Sequence, residues 1–337
     1  MNTEILVKVI QGIDLSHEES TTLVKELTSS SASDATRASV LTSLFIKGET
    51  YEEISGFSKG IKQFSPLTRI PGLTDIVGTG GDGKNTINVS TAASILCASL
   101  GIKIGKHGNR SITGLMGSAD FLEKIGYSFS KNQKIAEDDI AAKSFSFVLA
   151  PMHNSAFSAF STVRKKLQFR TIFNLLGPLT NPLDPDKIII GASSGIDPMI
   201  YANVLRIQGK TGYVVSAKDG TDEISISSPT RIIRVSDAIT ESELIPERIA
   251  GRQYDPESVS GSSKREIFQK TMDGLAGKDE ACSKFIAINA APAIISNGLA
   301  NDFGSAFNIA MKAVLAGKAM QKLTEIGNFN EVEINGA

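Results

Sequence analysis

Apolar residues recur at helical spacing through the first sixty-odd positions, then give way to short apolar runs punctuated by glycine. Ser16 and Glu19 form a capping box ahead of Leu23, Val24 and Leu27, and Thr50 and Glu53 form another ahead of Ile54, Phe57 and Ile61. Between them, Asp34 to Lys47 carries Ala, Val and Leu at helical spacing and stops at Gly48. This predicts a small helical unit, closed by a linker that Pro66 and Pro71 make extended.

From residue 73 strands and helices alternate. LTDIVGT predicts a strand, VSTAASILCASL a helix ending at Gly101, IKIGK a second strand, GSADFLEKIG a short helix and FSFVLAP a third strand. An amphipathic run from Ala156 to Leu167 follows, then the strands KIIIGAS and TGYVVSA around a helix from Pro198 to about Leu205. RIIRV extends the sheet, and long helical patterns from Ser263 onward close the chain. Such alternation predicts an α/β fold: a mostly parallel central sheet flanked by helices, beside the small all-helical domain. The 337 residues suit two domains, and no internal repeat or low-complexity region appears.

Composition narrows the function classes. Thirty-five basic and thirty-six acidic residues leave a net charge of -1, which gives no whole-protein attraction to nucleic acid or anionic membrane. Cys97 and Cys282 stand in no metal-ligand spacing and read as two buried thiols. The start MNTEILVKVIQGID lacks the features of a signal peptide. The most apolar stretch, Phe285 to Ile295, is shorter than the roughly 20 residues of a membrane span. A cytoplasmic protein without a membrane or nucleic-acid partner is expected.

Three segments carry candidate chemistry. Gly78, Gly80, Gly81 and Gly83 crowd the loop after the first strand, and Asn88, Ser90 and Thr91 open the next helix. Glycines bring backbone N–H groups close to an anion, and the helix start adds unpaired amides and roughly half a positive charge. The same pattern also fits a tight turn with a capping serine. Lys106-His107-Gly108-Asn109-Arg110 follows the strand IKIG, at the end where parallel sheets bind ligands; a solvated charged turn is the competing reading. Gly117 and Ser118 open a further helix. Asp222 and Glu223 lie just past TGYVVSA, where paired carboxylates suit magnesium, or simply a solvated acidic turn.

Together, GTGGDG, NVST, KHGNR, GSADFLE, VRKKL, RTIFNLLGPLTNP and DEIS resemble the anthranilate phosphoribosyltransferase family of tryptophan biosynthesis, across most of residues 75 to about 226. The resemblance implies a helical domain over 1–66 with a returning segment about 165–182, an α/β domain over 73–164 and 183–337, and a homodimer built through the helical part. It also implies the reaction: 5-phosphoribosyl 1-diphosphate is joined to the amine of anthranilate, with release of diphosphate and with Mg2+ as cofactor. Gly78, Gly81, Asp82, Thr86, Asn88, Val89, Ser90, Thr91, Lys106, His107, Gly108 and Ser118 match diphosphate-sugar positions, and Ser90, Asp222 and Glu223 match magnesium ligands. Gly78, Asn109 and Arg164 match positions that hold anthranilate, and Lys106, Asn109 and Arg164 would carry catalysis. Without the resemblance, Arg164 reads as a surface arginine on an amphipathic helix.

The chain departs from the family at three places. Asn154-Ser155 replaces His-Pro, with a histidine one position earlier at His153; Leu115 and Met116 replace polar residues; Gln168 replaces a glycine. Asn154 and Ser155 are expected to line the acceptor's path, so a different aromatic acceptor is one rival reading. A pyrimidine-nucleoside phosphorylase and a non-catalytic nucleic-acid-binding relative are the others. The paired carboxylates and RTIFNLLGPLTNP oppose the phosphorylase, and the near-zero net charge opposes the nucleic-acid binder.

Overall fold

The computed structural model describes residues 2–111 and 114–327. Four helices come first: α1 (Thr3–Ile10), α2 (His17–Thr28), α3 (Asp34–Lys47) and α4 (Tyr51–Lys62). Both predicted capping boxes form, with the Ser16 and Thr50 hydroxyls accepting from the Glu19 and Glu53 amides. Gly48 ends α3 at φ 84°, a conformation that costs other residues strain. Two glycines inside α4 let it lie against α2, because a Cβ on Gly60 would stand 2.2 Å from a Val24 methyl.

The remaining elements alternate. They run β1 (Thr74–Gly78), α5 (Val89–Ser99), β2 (Ile104–Gly108), α6 (Ser118–Lys124), α7 (Gln133–Lys143), β3 (Phe145–Leu149), α8 (Ala150–His153) and α9 (Ser155–Leu167). After two short 3-10 turns come β4 (Lys187–Gly191), α10 (Pro198–Ile207), β5 (Thr211–Ala217), β6 (Thr230–Val235) and β7 (Ile239–Leu244). The helices α11 (Pro246–Ala250), α12 (Lys264–Leu275), α13 (Glu280–Ser296), α14 (Phe303–Leu315) and α15 (Lys318–Ile326) end the described chain.

One seven-stranded sheet has the order β3-β2-β1-β4-β5-β6-β7. Its first five strands are parallel, and β6 and β7 extend it antiparallel. RIIRV therefore joins the sheet, as expected. From β1 the chain crosses to β2 on one side, whereas β4 lies on the other. The carboxyl ends of β1 and β4 thus flank a topological switch point, where open α/β sheets hold ligands.

Each sheet face is buried by a different set of helices. α5 and the helices α12 to α15 cover one face. The other face (Ile188, Ile190, Val214, Ile233) packs with α10 and is continuous with the core of α1 to α4. Phe160 and Val163 of α9, with Ile172 and Phe173 after it, return to that helical core. This return carries Arg164 and Arg170 to the switch point. Cys97 and Cys282 are buried free thiols. No helix among the described residues is long and apolar enough to cross a membrane.

Candidate active site

A cleft of about 680 Å³ opens at the carboxyl ends of β1, β2 and β4. Its floor begins with the loop after β1. Gly80, Gly81 and Gly83 adopt φ 70°, 77° and 70°, turning the chain along the floor of the cavity. The Thr79 amide donates to Gly191 O at 2.9 Å, and its hydroxyl accepts from the Ser193 amide at 3.0 Å, tying the ends of β1 and β4 together. Asn88 caps α5 without a side-chain hydrogen bond to the helix; its amide donates instead to Met116 O at 3.1 Å.

Of the residues predicted to meet the diphosphate sugar, Gly78, Gly81, Asp82, Thr86, Asn88, Val89, Ser90, Lys106, His107, Gly108 and Ser118 all line this cleft. The side chain of Thr91 does not. It is fully buried with an unpartnered hydroxyl, because one step round α5 from Ser90 turns it into the core.

The second strand runs further than the predicted IKIGK and takes in His107 as well as Lys106. β2 continues through Gly108, so both lie within the sheet, paired with Phe147 and Val148 of β3. Lys106 is 1% exposed, and its ammonium donates to the Ile76 carbonyl and, at 3.4 Å, to the Ser90 hydroxyl. Burial lowers its pKa to about 8, opposed by the charges of Asp75 and Glu223. Asp75 accepts from the Asn181 amide at 2.9 Å and from the His107 N–H at 3.4 Å. Burial depresses His107 to about 4, so its imidazole is neutral at pH 7. Gly108 has no room for a Cβ, which would stand 2.3 Å from the Ser118 hydroxyl.

The carboxylates approach from the β5–β6 connection. Asp222 is 7% exposed and accepts from the Gly80 amide at 2.6 Å, while Glu223 accepts from the Thr86 hydroxyl at 3.3 Å. Burial, and then the neighbouring Asp82, push Asp222 up to about 7. Burial, Asp222 and Asp82 likewise hold Glu223 well above the usual carboxylate range. Asp222 and Glu223, buried and crowded by Asp82, whose own carboxylate has one oxygen without a partner, are held as anions best beside a cation. That suits magnesium, which keeps waters and takes one or two carboxylates plus substrate phosphates.

The helical side supplies the opposite wall. Arg164, half-buried on α9, lines the cleft 5.3 Å above the Phe173 ring, and Asn109 lines it from the end of β2. Arg170 and Asn174 line the same wall but were given no role by sequence. Arg170 donates to Gly195 O at 3.2 Å, and its place at the head of RTIFNLLGPLTNP was the available signal.

Two departures can be located. Asn154 and Ser155, expected on the acceptor's path, do not line the cleft, and neither does His153: the His153 ring bonds Ser130 O at 2.7 Å, and Asn154 is buried with both amide atoms unpartnered. The four-residue helix α8 turns both inward immediately after β3. Leu115 and Met116 do line the cleft, and the Leu115 amide donates to Asn85 at 3.2 Å.

A glycine-rich loop facing paired carboxylates, with a buried lysine between them and arginines opposite, defines a transferase site for an anionic sugar. The family model described as "Glycosyl transferase family, a/b domain" matches residues 71–320, and "Glycosyl transferase family, helical bundle domain" matches residues 3–65. An anthranilate phosphoribosyltransferase of Picrophilus torridus is 43% identical over 88% of this chain and 91% of its own length. The crystal structure of that enzyme from Thermus thermophilus superposes with TM-score 0.86 at 29% identity, over 96% of this chain and 98% of the other. The Saccharomyces cerevisiae enzyme in complex with PRPP and Mg shares the fold, at TM-score 0.84 and 23% identity over 100% and 99% of the two chains. The chain belongs to the anthranilate phosphoribosyltransferase family.

Proposed function

We propose that this chain transfers the phosphoribosyl group of 5-phosphoribosyl 1-diphosphate to the amine of anthranilate, releasing diphosphate, in tryptophan biosynthesis. One observation carries the reading: the Gly80 amide, the Ser90 hydroxyl, the Lys106 ammonium and the Asp222–Glu223 pair converge on one cleft. Sequence identity to enzymes of this name across nearly the whole chain supports it.

The leaving diphosphate gains charge as its bond to the sugar loosens. The glycine loop and Lys106 line the same cavity, and free loop amides with the ammonium would stabilise that charge without a nucleophilic side chain. Ser90, Asp222 and Glu223 would hold Mg2+, which when bound neutralises phosphate charge. The aromatic amine of the acceptor is uncharged near neutral pH and needs aiming at the sugar carbon. Arg164 can grip the acceptor carboxylate with two parallel hydrogen bonds, and Asn109 and Gly78 complete its seat.

The biological unit in this reading is a cytoplasmic homodimer, with residues 1–66 and the returning segment about 165–182 as one domain and the rest as the other. Ile10, Ile13, Phe45 and Ile46 are 57%, 47%, 45% and 77% exposed, an unusual apolar display that a second copy would cover. The purified protein should consume anthranilate, seen as loss of its fluorescence, only when phosphoribosyl diphosphate and Mg2+ are both present. Correctly folded protein that leaves the fluorescence unchanged contradicts the assignment.

A further inference from the structure

Asp222 and Glu223 sit on a connection rather than in a strand, so something must hold their backbone in place. Among the described residues, each receives a single side-chain hydrogen bond from the cleft side, Asp222 from the Gly80 amide and Glu223 from the Thr86 hydroxyl. From below, α13 presents Asn289, which is 6% exposed. Its side-chain oxygen accepts from the Ile224 amide at 2.8 Å, and its nitrogen donates to the Ile224 carbonyl at 2.9 Å. The two bonds copy the pairing of a neighbouring β-strand, at the residue immediately after Glu223. A third bond, from the same nitrogen to Phe285 O at 2.9 Å, fixes the amide to its own helix.

The approach is tight on the other side as well. A Cβ on Gly191 would stand 1.5 Å from the Asp222 carbonyl oxygen, so β4 closes against the same connection. Asn289 also borders the small void that Gly78, Ser90, Asp222 and Glu223 share beneath the cleft floor. It touches neither the open cleft nor a carboxylate oxygen, and its polar atoms are spent on the backbone of Ile224 and Phe285.

We propose that Asn289 is a positioning residue that sets the spacing of Asp222 and Glu223 for a divalent cation bound with the diphosphate sugar. The inference rests on the function proposed above and adds a residue that no motif marks. Outer groups that orient metal ligands are worth roughly 10- to 100-fold in metal affinity. Asn289→Ala removes both Ile224 bonds. Asn289→Asp preserves the shape and the bond from the Ile224 amide, yet loses the donor and adds charge beneath two carboxylates.

The test is a magnesium chloride titration at fixed phosphoribosyl diphosphate, read by thermal shift, alongside the KM for anthranilate. Both variants should need about tenfold more Mg2+ than the unaltered protein for half the maximal shift, with the anthranilate KM changed less than about twofold. The isosteric aspartate keeps the test open if the alanine variant does not fold. A half-maximal Mg2+ concentration within twofold of the unaltered protein, even with a lower melting temperature, overturns the proposal while leaving the function intact. No magnesium-dependent shift in the unaltered protein overturns the proposed function, and this inference with it.

Discussion

Gly78 and Asp222 meet so closely that a Cβ on the glycine would lie 2.3 Å from the aspartate's Oδ2, the oxygen that accepts from the Gly80 amide at 2.6 Å. The end of β1 and the acidic connection are therefore shaped to each other. A Gly78→Ala enzyme should fold but push the carboxylate off the Gly80 amide. Its apparent Mg2+ affinity should fall at least about tenfold, measured as the Mg2+ dependence of turnover.

Asp222, raised from 3.8 to about 7, gives the magnesium-free protein a predictable pH dependence. A folded-state pKa above the unfolded one contributes stability at low pH, which is lost as pH climbs through about 7. Glu223 is shifted in the same direction. Mg2+ with phosphoribosyl diphosphate should thus raise the melting temperature more at pH 8 than at pH 5, and its binding at pH 7 should release protons. Calorimetry in buffers of different ionisation enthalpy checks the release.

Gln168 adopts φ 57° after α9, the left-handed conformation that a glycine takes without strain. Relief of that strain, less the extra chain entropy of glycine, leaves Gln168→Gly more stable by about 0.5–1 kcal/mol. Denaturant unfolding measures this, and the acceptor KM should stay close to its original value because Gln168 does not line the cleft.

Ile46 is 77% exposed at the end of α3, beside Phe45 at 45%. If a second copy covers them, Ile46→Glu buries a charge without a partner and shifts the protein to monomers at micromolar concentration. Light scattering reads the mass directly.

Much of this was legible in the sequence because local chemistry and fold agree. Ser16 with Glu19 and Thr50 with Glu53 mark true helix starts, and the glycines after β1 take the conformations that only glycine favours. Illegible elements had weak patterns. α7 buries only Ala136 and Ile140 among charged neighbours, and the edge strand β7, ITESEL, buries only Leu244. The charged side chains of Lys106 and His107 hid how far the strand IKIGK runs, yet the sheet extends through both because neighbouring carbonyl and carboxylate oxygens accept from the Lys106 ammonium and the His107 backbone N–H. Asn289 was silent for a different reason. It lies in a helix that is buried nearly all round, and only the folded chain brings it to Ile224.

In the proposed mechanism Lys106 and the Asp222–Glu223 pair, within one cleft, absorb the charge of a departing diphosphate. Single-turnover rates of anthranilate consumption, at saturating Mg2+ and phosphoribosyl diphosphate, test it most directly. Lys106→Ala and the double variant Asp222→Asn/Glu223→Gln should each lose at least about 100-fold, the scale of removing one pre-organised group from a developing anion. Rates within about threefold of the unaltered enzyme in folded variants would contradict it.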